Sequence, residues 1–155
     1  MKTYKKDYFI PYPLEIVREV LKTPVKIPFV PLTAQSELAV KNANDWIIRR
    51  SNGPGRPEIM IHCECDFDEE KDLLTVNMHS KLKKLTDVAT AELHYVGDFR
   101  TRLSLRYDIS YCMYKPSHIR QRIAVSYSGH RIYVETFQNV IDAVNREAEA
   151  LMASE

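Results

Sequence analysis

Hydrophobic and polar positions first alternate, then take helical spacing, return to a long alternation, and end in helical spacing. From Thr3 to Ile10, Tyr4, Lys6 and Tyr8 alternate with Lys5, Asp7 and Phe9 until Pro11 and Pro13 interrupt, which predicts a strand and a turn. Leu14, Ile16, Val17, Val20 and Leu21 then form a helical stripe with proline at its start. Pro24 disfavours helical geometry at the residue before it, so this helix should stop near Thr23.

Residues 24 to 35 are apolar but carry Pro24, Pro28 and Pro31, so they cannot continue a regular helix. Two readings follow for this segment. It is a packed loop or short helical turn covering one end of the core, or Ile27, Phe29 and Val30 form the lid of a cavity.

Period two returns at Glu37. Glu37 to Lys41 and Trp46 to Arg50 flank an Asn- and Asp-containing turn, and a Gly- and Pro-rich break at 52–57 leads into the strand Glu58 to Phe67. Ile59, Ile61, Cys63, Cys65 and Phe67 share one face of that strand, opposite His62, Glu64 and Asp66. Leu74, Val76 and Met78 continue the inward pattern after the acidic turn at 68–72. The strand Val88 to Val96 should face Ala89, Ala91, Leu93 and Tyr95 inward. The last strand should run from Leu103 to Met113, with Tyr107 and Tyr111 inward, and end before Pro116.

The rest is helical. Ile119, Ile123 and Tyr127 give a short stripe that Gly129 should interrupt. Tyr133, Phe137, Val140, Ile141, Val144, Ala148 and Leu151 then recur every three or four residues. So regular a stripe needs a partner, and the inward face of the sheet is the only one of sufficient size. The expectation is one α+β domain spanning 1–155: a curved, seven-stranded antiparallel sheet wrapped around a long C-terminal helix.

Composition narrows function mainly by exclusion. With 22 Lys and Arg against 21 Asp and Glu, the net charge of +1 gives no reason to expect nucleic acid as a partner. No segment reaches the length of a signal peptide's apolar core or a membrane span, so a cytoplasmic location is expected. Three cysteines, Cys63, Cys65 and Cys112, do not make a disulfide framework and fit a reducing compartment. The break at 52–57 lacks the Lys and Ser or Thr of a phosphate loop. His62 and Glu64 point away from Cys63 and Cys65 on a strand, so the four cannot close one tetrahedral metal site. No motif implies a cofactor, and the acidic turn reads as a solvated loop.

The order of elements resembles the START and birch-pollen-allergen-like helix-grip superfamily (SRPBCC). Its strand, proline and first-helix entry is similar to Asp7-Tyr8-Phe9-Ile10-Pro11-Tyr12-Pro13-Leu14-Glu15-Ile16-Val17. The tail from Tyr111 through Phe137 is similar to the quinone-chaperone and cyclase-like branch. This resemblance implies a hydrophobic small molecule, such as a lipid, quinone or polyketide, held between sheet and final helix. It transfers no catalytic residue, because no catalytic motif is matched position by position.

The residues suggest how such a ligand would be held. Tyr95, Tyr107 and Tyr111 are expected as buried phenols that need hydrogen-bond partners, whether backbone, one another, water, or the polar end of an apolar ligand. Trp46, Phe67, Phe137 and Ile141 would supply surface, and Ala89 and Ala91 would leave room. Burying about 300 Å² of apolar ligand surface would contribute roughly 7 kcal/mol before association costs, consistent with micromolar binding. Two alternatives stand beside this carrier: a cyclase- or hydrolase-type enzyme using an internal Tyr or His, and an interaction module. The latter would make transient protein or membrane contact through the lid or through outer-face residues such as Glu92, His94, Arg102 and Arg106. Oligomeric state is left open.

Overall fold

The computed structural model describes residues 2–32, 34–51, 54–55, 58–80, 85–109 and 119–154, with side chains for all of these except 2, 59, 85–86 and 119–132. Strand β1 (Lys2–Ile10) leads into helix α1 (Leu14–Leu21) and a 3-10 turn at Pro24–Lys26. Strands β2 (Ser36–Asn42), β3 (Asp45–Arg50), β4 (Ile59–Asp68), β5 (Leu73–Ser80), β6 (Leu85–Gly97) and β7 (Arg100–Ile109) follow. Helix α2 (Ile119–Ala153) ends the chain.

The seven strands form one antiparallel sheet in the order β1-β7-β6-β5-β4-β3-β2. Strands β2 to β7 each pair with their neighbours in sequence, and β1 crosses over to pair with β7. The alternation predicted from sequence fixes the inner face: Ile48, Ile61, Cys63, Leu74, Val76, Ala89, Ala91, Leu93, Leu103, Leu105 and Tyr107 are all buried. From α1, Ile16, Val17, Val20 and Leu21 enter the same core; from α2, Phe137, Val140, Ile141, Val144 and Ala148 do so. α2 packs chiefly against α1 and β1, so the two helices form one layer on the sheet. This is the α+β helix-grip arrangement, a curved sheet closed by a C-terminal helix.

Three expectations need correction. Gly129 does not interrupt the terminal helix, which runs unbroken for 35 residues. A glycine in a helix interior costs only about 1 kcal/mol relative to alanine, less than the surrounding turns contribute. β6 begins at Leu85, three residues before the expected Val88, which brings Asp87 into the sheet opposite Met78.

Tyr95 is the third. It shares the parity of Leu93 but is 63% exposed. The ladder shifts register between Tyr95 and Gly97, at the β6–β7 turn. Its hydroxyl instead donates to the Asp98 carboxylate at 2.5 Å. β7 is described only to Ile109, so Tyr111 and Met113 lie outside the described residues.

Candidate functional site

The centre of the inner face is built from a row of pairs. Ala89 lies opposite Val76 on one side and Tyr107 on the other, and Tyr107 lies opposite Tyr4 on β1. One row along, Phe67 lies opposite Leu74, Leu74 opposite Ala91, and Ala91 opposite Leu105. Alanine at 89 and 91 lowers the floor beneath an aromatic cluster. Within that cluster Tyr107 lies 5.4 Å from Phe137 and 5.5 Å from Tyr133, measured between ring centroids. Tyr4 stacks on Tyr133 at 3.8 Å, and Tyr8 meets Phe137 edge-on at 6.5 Å. The edge-on contact of Tyr8 with Phe137 is a favoured geometry for aromatic rings.

Of the residues selected from sequence, Trp46, Ala89, Ala91, Tyr107, Phe137 and Ile141 are buried in one core cluster, and Phe67 is half-buried against it. Tyr95 does not join them. Tyr4, Tyr8 and Tyr133 contribute a further wall that the sequence selection omits, although the alternation of β1 and the stripe of α2 carry the signal.

Over this floor lies the proline-rich segment. Ile27 and Phe29 are buried and Val30 is half-buried. An irregular segment cannot satisfy its own backbone groups, so the sheet must do so. The Tyr107 hydroxyl donates to the Phe29 carbonyl at 2.5 Å, and Arg50 Nη2 donates to the Pro31 carbonyl at 2.5 Å. The Val25 amide donates to the Ala43 carbonyl in the β2–β3 turn at 3.1 Å. From sequence, Arg50 reads as an ordinary strand residue. It shares the inward parity of Ile48, and its Nε is buried without a partner.

Burial holds the Tyr107 phenol well above its usual value, with smaller contributions from Tyr133, Cys63 and the Asp87 carboxylate. The phenol is therefore a permanent donor near neutral pH. Asp87 is half-buried, and its alternation with Ala89 points it inward. The sequence pattern omits it because the expected strand starts one residue later.

The nucleophile candidates are inert. Burial pushes the Cys63 and Cys65 thiols up to about 12, which leaves almost no thiolate at neutral pH. His62 lies on the outer face, 2.6 Å from Asp45 and 3.3 Å from Glu64. His79 is exposed and His94 sits 3.5 Å from Glu92. Among the described residues no group of three or more His, Cys, Asp and Glu could hold a metal ion. No described helix is long and apolar enough to cross a membrane.

A surface groove of about 640 Å³ lies away from these residues, between α1 and the β4–β5 turn, and is lined by Ile16, Arg18, Lys22, Glu69 and Met152 among others. Its charges are already engaged. Arg18 makes a bidentate pair with Asp72 at 2.7 and 3.0 Å, and Lys22 meets Glu69 at 2.9 Å. These pairs clasp α1 to the turn, where Asp72 takes a positive φ of 50°.

No protein-family model matches the sequence, and no curated protein matches it. Solved structures do match in shape. The chain is similar to the Zhui aromatase/cyclase from Streptomyces sp. R1128, with a TM-score of 0.62 and 13% identity over 96% of this chain and 93% of the other. It is similar to TTHA0849 from Thermus thermophilus, with a TM-score of 0.66 and 15% identity over 97% and 99%. It is also similar to norcoclaurine synthase from Thalictrum flavum, with a TM-score of 0.58 and 14% identity over 94% and 84%. Full-length overlap at such low identity is a statement about architecture, and it agrees with the strand order and helix placement described above: the chain adopts the helix-grip fold.

Proposed function

We propose that this protein binds a hydrophobic, ring-bearing small molecule between the sheet and α2, beneath the segment 24–32. The observation that carries this reading is the hydrogen bond from Tyr107 to the Phe29 carbonyl. It joins a buried donor of the aromatic cluster to the irregular cover. A ligand entering under the cover would free that hydroxyl, which would then orient the ligand's polar end. Ala89 and Ala91 would accept its apolar body, with Trp46, Phe67, Phe137 and Ile141 around it. Ile27, Phe29 and Val30 would act as the lid. The shapes shared with an aromatase/cyclase and with norcoclaurine synthase support the same reading.

The test uses Trp46, the only tryptophan in the chain and a buried one. Purified protein is examined by native mass spectrometry for copurified ligand, then titrated with naphthoquinone, flavonoid and fatty-acid probes while Trp46 emission is followed. Saturable binding by at least one class is expected in the micromolar range, weakened about tenfold by Tyr107→Phe. No copurified molecule and no saturable response from any class would reject the proposal.

A cyclase-type activity is the second reading, favoured by Asp87. This half-buried carboxylate is close enough to affect Tyr107, so an acid and a potential base share the interior. Turnover of a bound ligand separates the two readings: a carrier shows none, whereas an enzyme turns its ligand over and in Asp87→Asn loses that turnover while keeping affinity.

A further inference from the structure

The two edges of the sheet are built differently. β1 carries Lys2, Lys5 and Lys6, the kind of charge that keeps an edge from pairing with another chain. β2 carries Glu37, Leu38, Ala39, Val40 and Lys41, all exposed, and Leu38 and Val40 are 45% and 54% exposed. These two apolar residues lie opposite Ile48 and Trp46 and so share the inner face. An uncovered strand of this kind invites pairing.

The backbone of β2 is also set for it. The Ser51 amide donates to the Gln35 carbonyl at 3.2 Å, continuing the register in which Ser36 pairs with Arg50. In an antiparallel ladder, hydrogen-bonded and non-hydrogen-bonded pairs alternate. Residues 35, 37 and 39 therefore bond toward β3, and Leu38 and Val40 turn their N–H and C=O groups to the open edge.

We infer that this edge is a self-complementary dimer interface, in which β2 pairs antiparallel with β2 of a second copy about a two-fold axis at Ala39. The sequence is symmetric about that point in the required sense. Ala39 faces the partner's Ala39, and Leu38 faces the partner's Val40, which places apolar pairs on the inner side and matches the outward-turned backbone groups. Glu37 comes opposite the partner's Lys41, the residue at which the register of β2 shifts and the ladder between the copies ends. Each chain continues the alternation of charge, because Arg49 lies opposite Glu37 and Asp45 lies 3.9 Å from Lys41. Across the joint the charges run Arg49, Glu37, the partner's Lys41, the partner's Asp45. Opposite charges in facing strands favour this register, and a shift by one residue sets Leu38 against the partner's Ala39 and breaks the charge pairing.

The register shift between Val40 and Asn42 limits the length of the ladder. A joint this short lies below the area of a standard stable interface, so dissociation on the order of 100 μM is expected.

Sedimentation velocity of the full chain, from micromolar concentration to about 1 mM, should show a reversible monomer–dimer equilibrium. Glu37→Lys and Lys41→Glu should each weaken it at least tenfold, because each sets like charges opposite one another. The double reversal should restore it to within about threefold. In the dimer, Ala39→Cys should cross-link on mild oxidation beyond the level of the unsubstituted chain. Leu38→Cys should not, since its counterpart lies two residues along the strand, beyond the roughly 7 Å limit of a disulfide. A chain that stays monomeric throughout, a dimer indifferent to the charge reversals, or Leu38→Cys cross-linking as readily as Ala39→Cys would each overturn the assignment.

Discussion

The inner face of the sheet is covered in two ways. Over β6, β7 and β1 the cover is helical, and the described residues of α1 and α2 meet it largely through apolar contact, with Arg18 and Lys22 of α1 also paired to Asp72 and Glu69 in the β4–β5 turn. The cover made by residues 24–32 is irregular, and it is held by side-chain donors rising from the sheet, Tyr107 and Arg50, together with one backbone bond from Val25. A helical cover is lost only with the whole apolar interface, of which each fully buried leucine contributes about 1.5–3 kcal/mol. The irregular cover buries Ile27 and Phe29 and adds a few hydrogen bonds of about 1 kcal/mol net each, a smaller interface that can be released locally. The same core thus has a fixed side and a releasable side.

The comparison can be broken first at its fixed side. Leu105 is buried on β7 between Lys6 and Ala91 in register, beneath the helices. Leu105→Ala should lower global stability by about 2–5 kcal/mol in denaturant unfolding, the range for a buried leucine whose surroundings relax only in part. A loss under about 1 kcal/mol would show that the helical side is the loose one.

At the releasable side, Tyr107→Phe removes one donor and leaves the buried Phe29 carbonyl unsatisfied. A cost of about 1–3 kcal/mol is expected. Its location matters more than its size. Amide hydrogen exchange should accelerate at Ile27 and Phe29, whose amides donate to Pro24 and Ile27 carbonyls, while amides of β6 and β7 stay protected in proportion to global stability. Uniform acceleration throughout the sheet would mean that the segment is an integral part of the core and not a separable cover.

The two sides also differ in how far sequence can describe them. Alternation in β4 and β7 and the stripe of α2 place Cys63, Leu105, Val140 and Val144 correctly, because a residue's period states its face once a regular element is assumed. Periodicity says nothing about where an element's usefulness ends. Tyr95 obeys the period but sits at the strand's tip, beside a register shift, and is exposed. Nor can periodicity describe a segment without one. That the proline-rich stretch is apolar and irregular is plain, but Arg50 and Tyr107 as its donors depend on contacts 19 and 78 residues apart in sequence. Asp87 is lost to a boundary error at the start of β6, the part of an element that sequence defines least well.

The smallest effect concerns the thiol on β4, opposite Trp46 and Met78 and away from the helix-contacting strands. The ordinary value of 9.0 for the Cys63 thiol is raised to about 12 in the folded chain, first by burial and then by the Asp45 carboxylate. Above about pH 9 the unfolded chain therefore sheds this proton while the folded chain keeps it. Stability contributed by the neutral buried thiol is fully present below about pH 9 and falls as pH rises toward about 12, with a slope of about 1.4 kcal/mol per pH unit. Tyrosine and lysine ionisation adds its own slope in this range, so the informative quantity is the difference from Cys63→Ala, in which that component is absent. Denaturant unfolding at about pH 9, 10 and 11 should give curves for the two proteins that converge by roughly that amount per unit. If the curves run parallel, the thiol is reached by water in the folded state, and the cover over Trp46 and Cys63 is already open for part of the time.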